Sequence, residues 1–149
     1  MSMIDTLLNR SSHSKLVEPG PNAECLRNII RAALRAPDHG RLRPWRFIIV
    51  EGERRRALGE IFARSLSLNG VTESVVIDRA KNAPLRAPTI LVGLLHYQPH
   101  PKISRAEQGH AVAAAIHAAQ LASESMGFGS MWRTGGYATD PEVITALGG

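Results

Sequence analysis

The stretch RAPDHGRLRPWRF, residues 35–47, sets the tightest limit on what this chain can fold into. Upstream of it Cys25, Leu26, Ile29, Ile30, Ala33 and Leu34 recur at helical spacing, so one face of a helix is apolar. Pro37 pushes Ala36 out of helical geometry and ends that helix. Downstream, Phe47–Val50 is a short apolar run bounded by polar residues, the pattern of a buried strand. Helix and strand are therefore joined by a proline-stiffened loop carrying Arg35, Arg41, Arg43 and Arg46 beside Asp38 and His39. Such a loop is either a solvated connection or a cradle for an anionic ligand.

The remaining punctuation is equally local. Met3, Ile4, Leu7 and Leu8 predict a short amphipathic helix, followed by the hydroxyl-rich NRSSHS and a turn through Pro19, Gly20 and Pro21. Asn22 caps the next helix, with Glu24 in its first turn, and Cys25 reads as core rather than nucleophile. After Gly52 comes a helix with apolar positions Leu58, Ile61, Phe62 and Leu66, then a short helix around Val75–Ala80. Pro84 and Pro88 are expected to bracket an extended segment. Thr89–Leu95 is a second strand, apolar on both faces and so expected to be central. HYQPHPK makes an exposed loop. Ser104 and Glu107 form a capping-box pattern that opens a long helix to about Met126, alanine-rich enough for another helix or a partner subunit to approach closely. Gly127–Gly129 ends it, Ser130–Trp132 is a short strand candidate, and Arg133–Gly136 is a basic, glycine-rich loop. Asp140 and Pro141 start a last short helix through Val143, Ile144 and Leu147, which Gly148 terminates. With no internal repeat, residues 1–149 read as a single domain, long enough for a real core.

Composition narrows the function. The lone Cys25 excludes an internal disulfide and suits a reducing compartment. No secretory segment is visible, and the longest apolar runs, Ala87–Leu95 and Ala111–Ala119, are too short or too interrupted to span a bilayer. A cytoplasmic location without membrane association is the expectation. The net charge of +5 favours an anionic partner. Yet the arginines are dispersed, and 5% aromatic content gives little for bases to stack on, so a small anion is preferred to nucleic acid. Only Glu53–Arg56 forms a charged run, which reads as a solvated helix face.

Most chemical constellations fail. The glycine-rich dinucleotide, P-loop and nucleophile-elbow signatures are all missing. His96 and His100 are separated by Pro99, while His110 and His117 share a helix face without carboxylate or cysteine company, so no metal is expected. Asp38-His39 resembles half a catalytic pair but lacks a nucleophile. Three anion-friendly turns survive: Arg10 with Ser11 and Ser12, Arg35 with His39, and Arg133 with Thr134 beside two glycines. Guanidinium forks and hydroxyls together suit a phosphate.

The segments NRSSHSKL, RAALRAPDHGRLRPWRF, RAPTILVG and AAQLASESMGFGSMWRTG, in that order, resemble the nitroreductase family of flavoproteins, in its small YdjA-like branch. The resemblance implies an α+β fold with a mostly antiparallel sheet surrounded by helices. It also implies an intertwined homodimer with FMN at each subunit interface. The activity it implies runs in two steps, NAD(P)H reducing the flavin and the flavin then reducing a nitroaromatic, quinone or similar acceptor. On this sequence Arg10, Ser11 and Ser12 match the family's N-terminal flavin-binding turn, with Arg10 toward the phosphate. Arg35 and His39 match positions reaching the flavin across the dimer interface, and Trp132, Arg133 and Thr134 match the late loop that also touches it. Trp45 and Trp132 are equally open to core packing. No side chain reads as a proton donor, so substrate protons are expected from water. Members of the branch continue past ALGG with another strand and a tail, so an exposed sheet edge is expected here. The alternative reading is a non-catalytic homodimeric remnant that binds flavin or another anion weakly.

Overall fold

Four of the helix starts, those of the first, second, fifth and sixth helices, follow from capping side chains. The computed structural model describes residues 2–149. Ser2 caps α1 (Met3–Asn9) and Asp5 returns a bond to its backbone, while the Asn22 side chain accepts the Cys25 N–H at 2.9 Å to open α2 (Ala23–Ala33). After β1 (Trp45–Glu51) come α3 (Arg54–Leu68) and α4 (Ser74–Asn82), then β2 (Thr89–Leu95). Ser104 and Glu107 form the expected capping box of α5 (Arg105–Ser125), and Asp140 caps α6 (Pro141–Ala146). The strands pair antiparallel: His96 N–H donates to the Pro44 carbonyl at one end, and the Thr89 hydroxyl donates to Glu51 at the other. This is an α+β arrangement.

The chain divides into two compact units. Unit one holds residues 1–14, 20–48 and 92–132, and its centre is α5 with α2 packed along it. Leu26, Ile29 and Ala33 of α2 and Ala111, Val112, Ala115 and Ala119 of α5 are all buried, and Ala33 and Ala115 are fully shielded. The expected close neighbour of the alanine-rich helix is thus α2. Burying Leu26 and Ile29 contributes about 1.5–3 kcal/mol each. Gly93 in β2 is required by α5, because a Cβ there would lie 2.8 Å from Ile116 Cδ1. α1 also touches α5, yet it buries only Thr6. Its apolar stripe is turned outward, with Met3 80% and Leu8 79% exposed.

Unit two holds residues 15–19, 49–91 and 133–149. α3 packs on α4 and α6, with Gly59 so close to the Lys81 carbonyl that no side chain fits. The rings of Phe62 and Tyr137 stack with centroids 4.1 Å apart, Arg64 pairs with Glu142 at 2.6 Å, and Asn69 donates to Asp140 at 2.8 Å.

Four expectations are corrected. β2 is not central: among the described residues the sheet has two strands, and every residue of β2 is only half-buried. Apolar side chains on both faces do not by themselves require strands on both edges, and on one face Gly93 lies against Ile116 of α5. Residues Ala83–Arg86 form a 3-10 turn rather than an extended segment, because Pro84 is well suited to the start of a helical turn. Ser130–Trp132 is not a strand; Ser130 makes a single bridge. The Glu53–Arg56 run is not wholly solvated. Arg55 folds back to donate to the Gly52 carbonyl at 3.2 Å and the Ala87 carbonyl at 2.7 Å, tying the start of α3 to the end of the 3-10 turn.

Candidate functional site

The first anion-friendly turn is assembled from distant sequence. α1 stops at Arg10, whose N–H still bonds the Thr6 carbonyl while its own backbone has left helical geometry. The chain then runs alongside Ser130. Ser12 and Ser130 form a parallel bridge, and His13 N–H donates to the Ser130 carbonyl at 3.1 Å. From α5 the buried Gln120 side chain donates to the Ser130 hydroxyl at 3.4 Å. Arg10 Nη1 reaches Ser12 Oγ at 3.5 Å, and Ser11 Oγ lies 3.1 Å from His13 Nε2. One guanidinium and two hydroxyls thus share an exposed turn, a donor set matched to a phosphate. Trp132 lies two residues beyond Ser130 and is 42% exposed, so its core-packing reading is corrected. Trp45 is half-buried at the start of β1.

The second turn is held quite differently. His39 opens a single 3-10 turn, and its Nδ1 sits 3.2 Å from Glu107 Oε1. An ionised carboxylate only accepts, so Nδ1 is the donor in this contact. The other Glu107 oxygen accepts the Ser104 N–H at 2.9 Å and its hydroxyl at 3.1 Å. The Ser104 backbone bond, then the His39 contact and the Ser104 hydroxyl, hold the Glu107 carboxyl below its ordinary 4.5. Arg35 is exposed just past α2, its N–H bonded to the Ala32 carbonyl at 3.0 Å.

Behind His39 stand residues that the sequence did not flag. Gln108, 2% exposed, accepts the Gln98 N–H at 2.9 Å and donates to the Gln98 carbonyl at 2.7 Å. Gln98 in turn donates from its side chain to the Leu42 carbonyl. The signal was available: Gln108 shares helical spacing with Ala111, Val112 and Ala115, which puts an amide in an otherwise apolar stripe.

α5 measures the distance between the two turns. Glu107 and Gln120 belong to the same continuous helix, so at 1.5 Å per residue the levels of His39 and Ser12 are about 20 Å apart along its axis. Within one copy the structure brings Arg10, Ser11 and Ser12 together with the segment leading to Trp132, and places His39 at the opposite end of α5. Arg133 and Thr134 are exposed and belong to unit two. The shallow depression bounded by Ile49, Glu51, Gly52 and Arg54 contains none of the candidates. Among the described residues no group of three His, Cys, Asp or Glu side chains is placed to hold a metal, and no helix is long and apolar enough to cross a membrane.

Comparison with known proteins agrees with this architecture. Residues 7–149 match the profile of the Nitroreductase family. A curated relative, "Putative NAD(P)H nitroreductase YdjA" of Escherichia coli (strain K12), is 38% identical over 148 residues, covering 99% of this chain and 80% of the relative. Among solved structures, a nitroreductase-like family protein from Bacillus cereus superposes with a TM-score of 0.84 at 25% identity, over 99% of this chain and 78% of that one. A nitroreductase with bound FMN from Bacteroides fragilis NCTC 9343 shares the fold, with a TM-score of 0.73 at 24% identity over 99% of this chain and 80% of that one. With a family profile running over most of its length and a close curated relative, the chain belongs to the nitroreductase family.

Proposed function

We propose that this protein is an FMN-dependent NAD(P)H oxidoreductase acting as a homodimer, each flavin shared by two copies. The observation that carries the reading is the phosphate-type donor set of Arg10, Ser11 and Ser12, held in place by the bridge from Ser12 to the Ser130 segment at the far end of the chain. Bound there, FMN would supply the hydride-accepting and electron-passing chemistry, for which the protein provides placement and charge. In this reading Arg10 and the two serines hold the phosphate, and Trp132 borders the same turn. Arg35 and His39 come from the second copy, because one copy sets His39 about 20 Å away along α5. His39, fixed through Nδ1 by Glu107, presents Nε2 to the ligand. Cationic groups near the ring edge would favour negative charge developing on reduction. The acceptor class is a nitroaromatic, quinone or similar small molecule, with protons drawn from water, and the setting is the cytoplasm, where Cys25 stays reduced.

The test is the visible absorption spectrum of the purified protein titrated with FMN, followed by anaerobic addition of NADH or NADPH. The reading predicts stoichiometric uptake and bleaching of the flavin bands. A protein that takes up no FMN contradicts it, and one that binds FMN without bleaching is the non-catalytic remnant.

A further inference from the structure

Among the described residues of unit one, the loop between His39 and Pro44 is the one place where non-glycine residues adopt left-handed backbone. Arg41 has φ 53° and Arg43 φ 50°, following Gly40 at 74°. Side chains rarely tolerate this conformation, and proteins retain it where the surroundings over-determine it, commonly at binding sites. Here the bracing is explicit. Asp38 accepts the Arg43 N–H at 2.7 Å with its side chain and the Arg41 N–H at 3.2 Å with its carbonyl. Gln98, itself locked by buried Gln108, holds the Leu42 carbonyl, and Pro44 is fully buried. Gly40 is pressed so closely on buried Ile103 that a Cβ would lie 2.5 Å from its Cδ1.

This scaffolding holds two guanidiniums in solvent without a carboxylate. Arg41 and Arg43 are exposed, and none of the ion pairs among the described residues involves either. The nearest acids in the loop's surroundings are engaged, Asp38 with backbone N–H and Glu107 with His39 and Ser104. A solvated connection would need neither the strained backbone nor the buried glutamine behind it. Two planar, permanently charged forks on a preorganised loop fit a phosphate group.

We propose that Arg41 and Arg43 dock a phosphate of the dinucleotide co-substrate, the 2′-phosphate or the diphosphate bridge. The assignment rests on the flavin reading, since the hydride donor must visit the ring near His39, two residues before Arg41, and it carries phosphates with it. Within this loop Arg41 and Arg43 serve capture of the reductant, while His39 at its start serves the flavin.

Calorimetric titration with adenosine 2′,5′-bisphosphate and with ADP tests this on the protein as purified. The double variant Arg41→Gly/Arg43→Gly relieves the strain, so its melting temperature should hold or rise and a binding loss cannot be blamed on misfolding. The expected result is at least about tenfold weaker binding of a probe, the scale of losing charge-assisted bonds. Loss for the bisphosphate alone assigns the 2′-phosphate; loss for both assigns the diphosphate. Equal binding by wild type and variant, or no binding of either probe to wild type, overturns the proposal. FMN titration of the same variant should be unchanged. A wild type that binds the probes but no FMN sinks the flavin reading instead, which keeps the two failures distinct.

Discussion

The two cationic turns of unit one sit at opposite ends of α5 and are built by opposite means. The Arg10–His13 turn is exposed beyond Arg10, keeps ordinary backbone and is held by one bridge to Ser130, whose hydroxyl takes a long bond from Gln120. The 38–43 loop has left-handed arginines and is fastened from beneath by Asp38, Gln98 and Gln108. The difference teaches that donor chemistry and rigidity are supplied separately. In the first turn the ligand itself would complete the structure; in the second, the protein has set the geometry beforehand.

The sharpest way to break this contrast is to remove the fastening. Gln108→Leu leaves the Gln98 N–H and carbonyl without their buried partner. Denaturant titration should show about 2–4 kcal/mol lost, since two backbone polar groups lose satisfaction at once. A loss under about 0.5 kcal/mol would mean the loop is not braced from below. Arg10→Ala should behave in the reverse sense. FMN affinity is expected to weaken by about 1.5–3 kcal/mol, the scale of a charged hydrogen bond, while the fold stays within about 0.5 kcal/mol. Equal damage to folding and binding would show that the first turn is structural too.

Arg55→Ala, in unit two, serves as a reference for an arginine that does hold structure. Its bond to the Ala87 carbonyl puts the expected stability loss at about 1.5 kcal/mol by thermal unfolding. Arg79→Ala, on an exposed position of α4, should stay within about 0.5 kcal/mol.

The smallest effect expected is on pH. The folded state lowers the Glu107 carboxyl below its ordinary 4.5, so folded protein binds that proton less readily than unfolded chain. Its contribution is therefore present above the ordinary carboxylate range and lost as pH falls through the lowered value. An NMR titration should show the His39 ring shifts changing together with Glu107 protonation in that acidic window. Ring shifts that ignore Glu107 would remove the positioning contact.

Local punctuation made much of the fold legible. Asn22, the Ser104–Glu107 box and Asp140 act through neighbours a few residues away, so their helices begin where the sequence says. The sheet was less legible, because the apolar pattern of Thr89–Leu95 does not report how many strands flank it. Arg55 misled for a related reason: its partner, Ala87, is distant in sequence, and a charged run carries no mark of what folds back onto it. At the site the donor residues could be read, but the bracing could not. Gln98 and Gln108 work through backbone atoms of other segments, and the left-handed geometry of Arg41 and Arg43 has no residue signature, since glycine would be the expected choice.

The central claim is that one flavin is held by the first turn of one copy and the second turn of another. Co-refolding Arg10→Ala protein with His39→Ala protein tests it directly, because a mixed dimer then contains one site with both residues intact. The account predicts that each variant alone binds FMN weakly, while random mixing restores native affinity in about a quarter of the sites. A mixture with no native-affinity sites would contradict it, placing both turns on the same copy's ligand or on none.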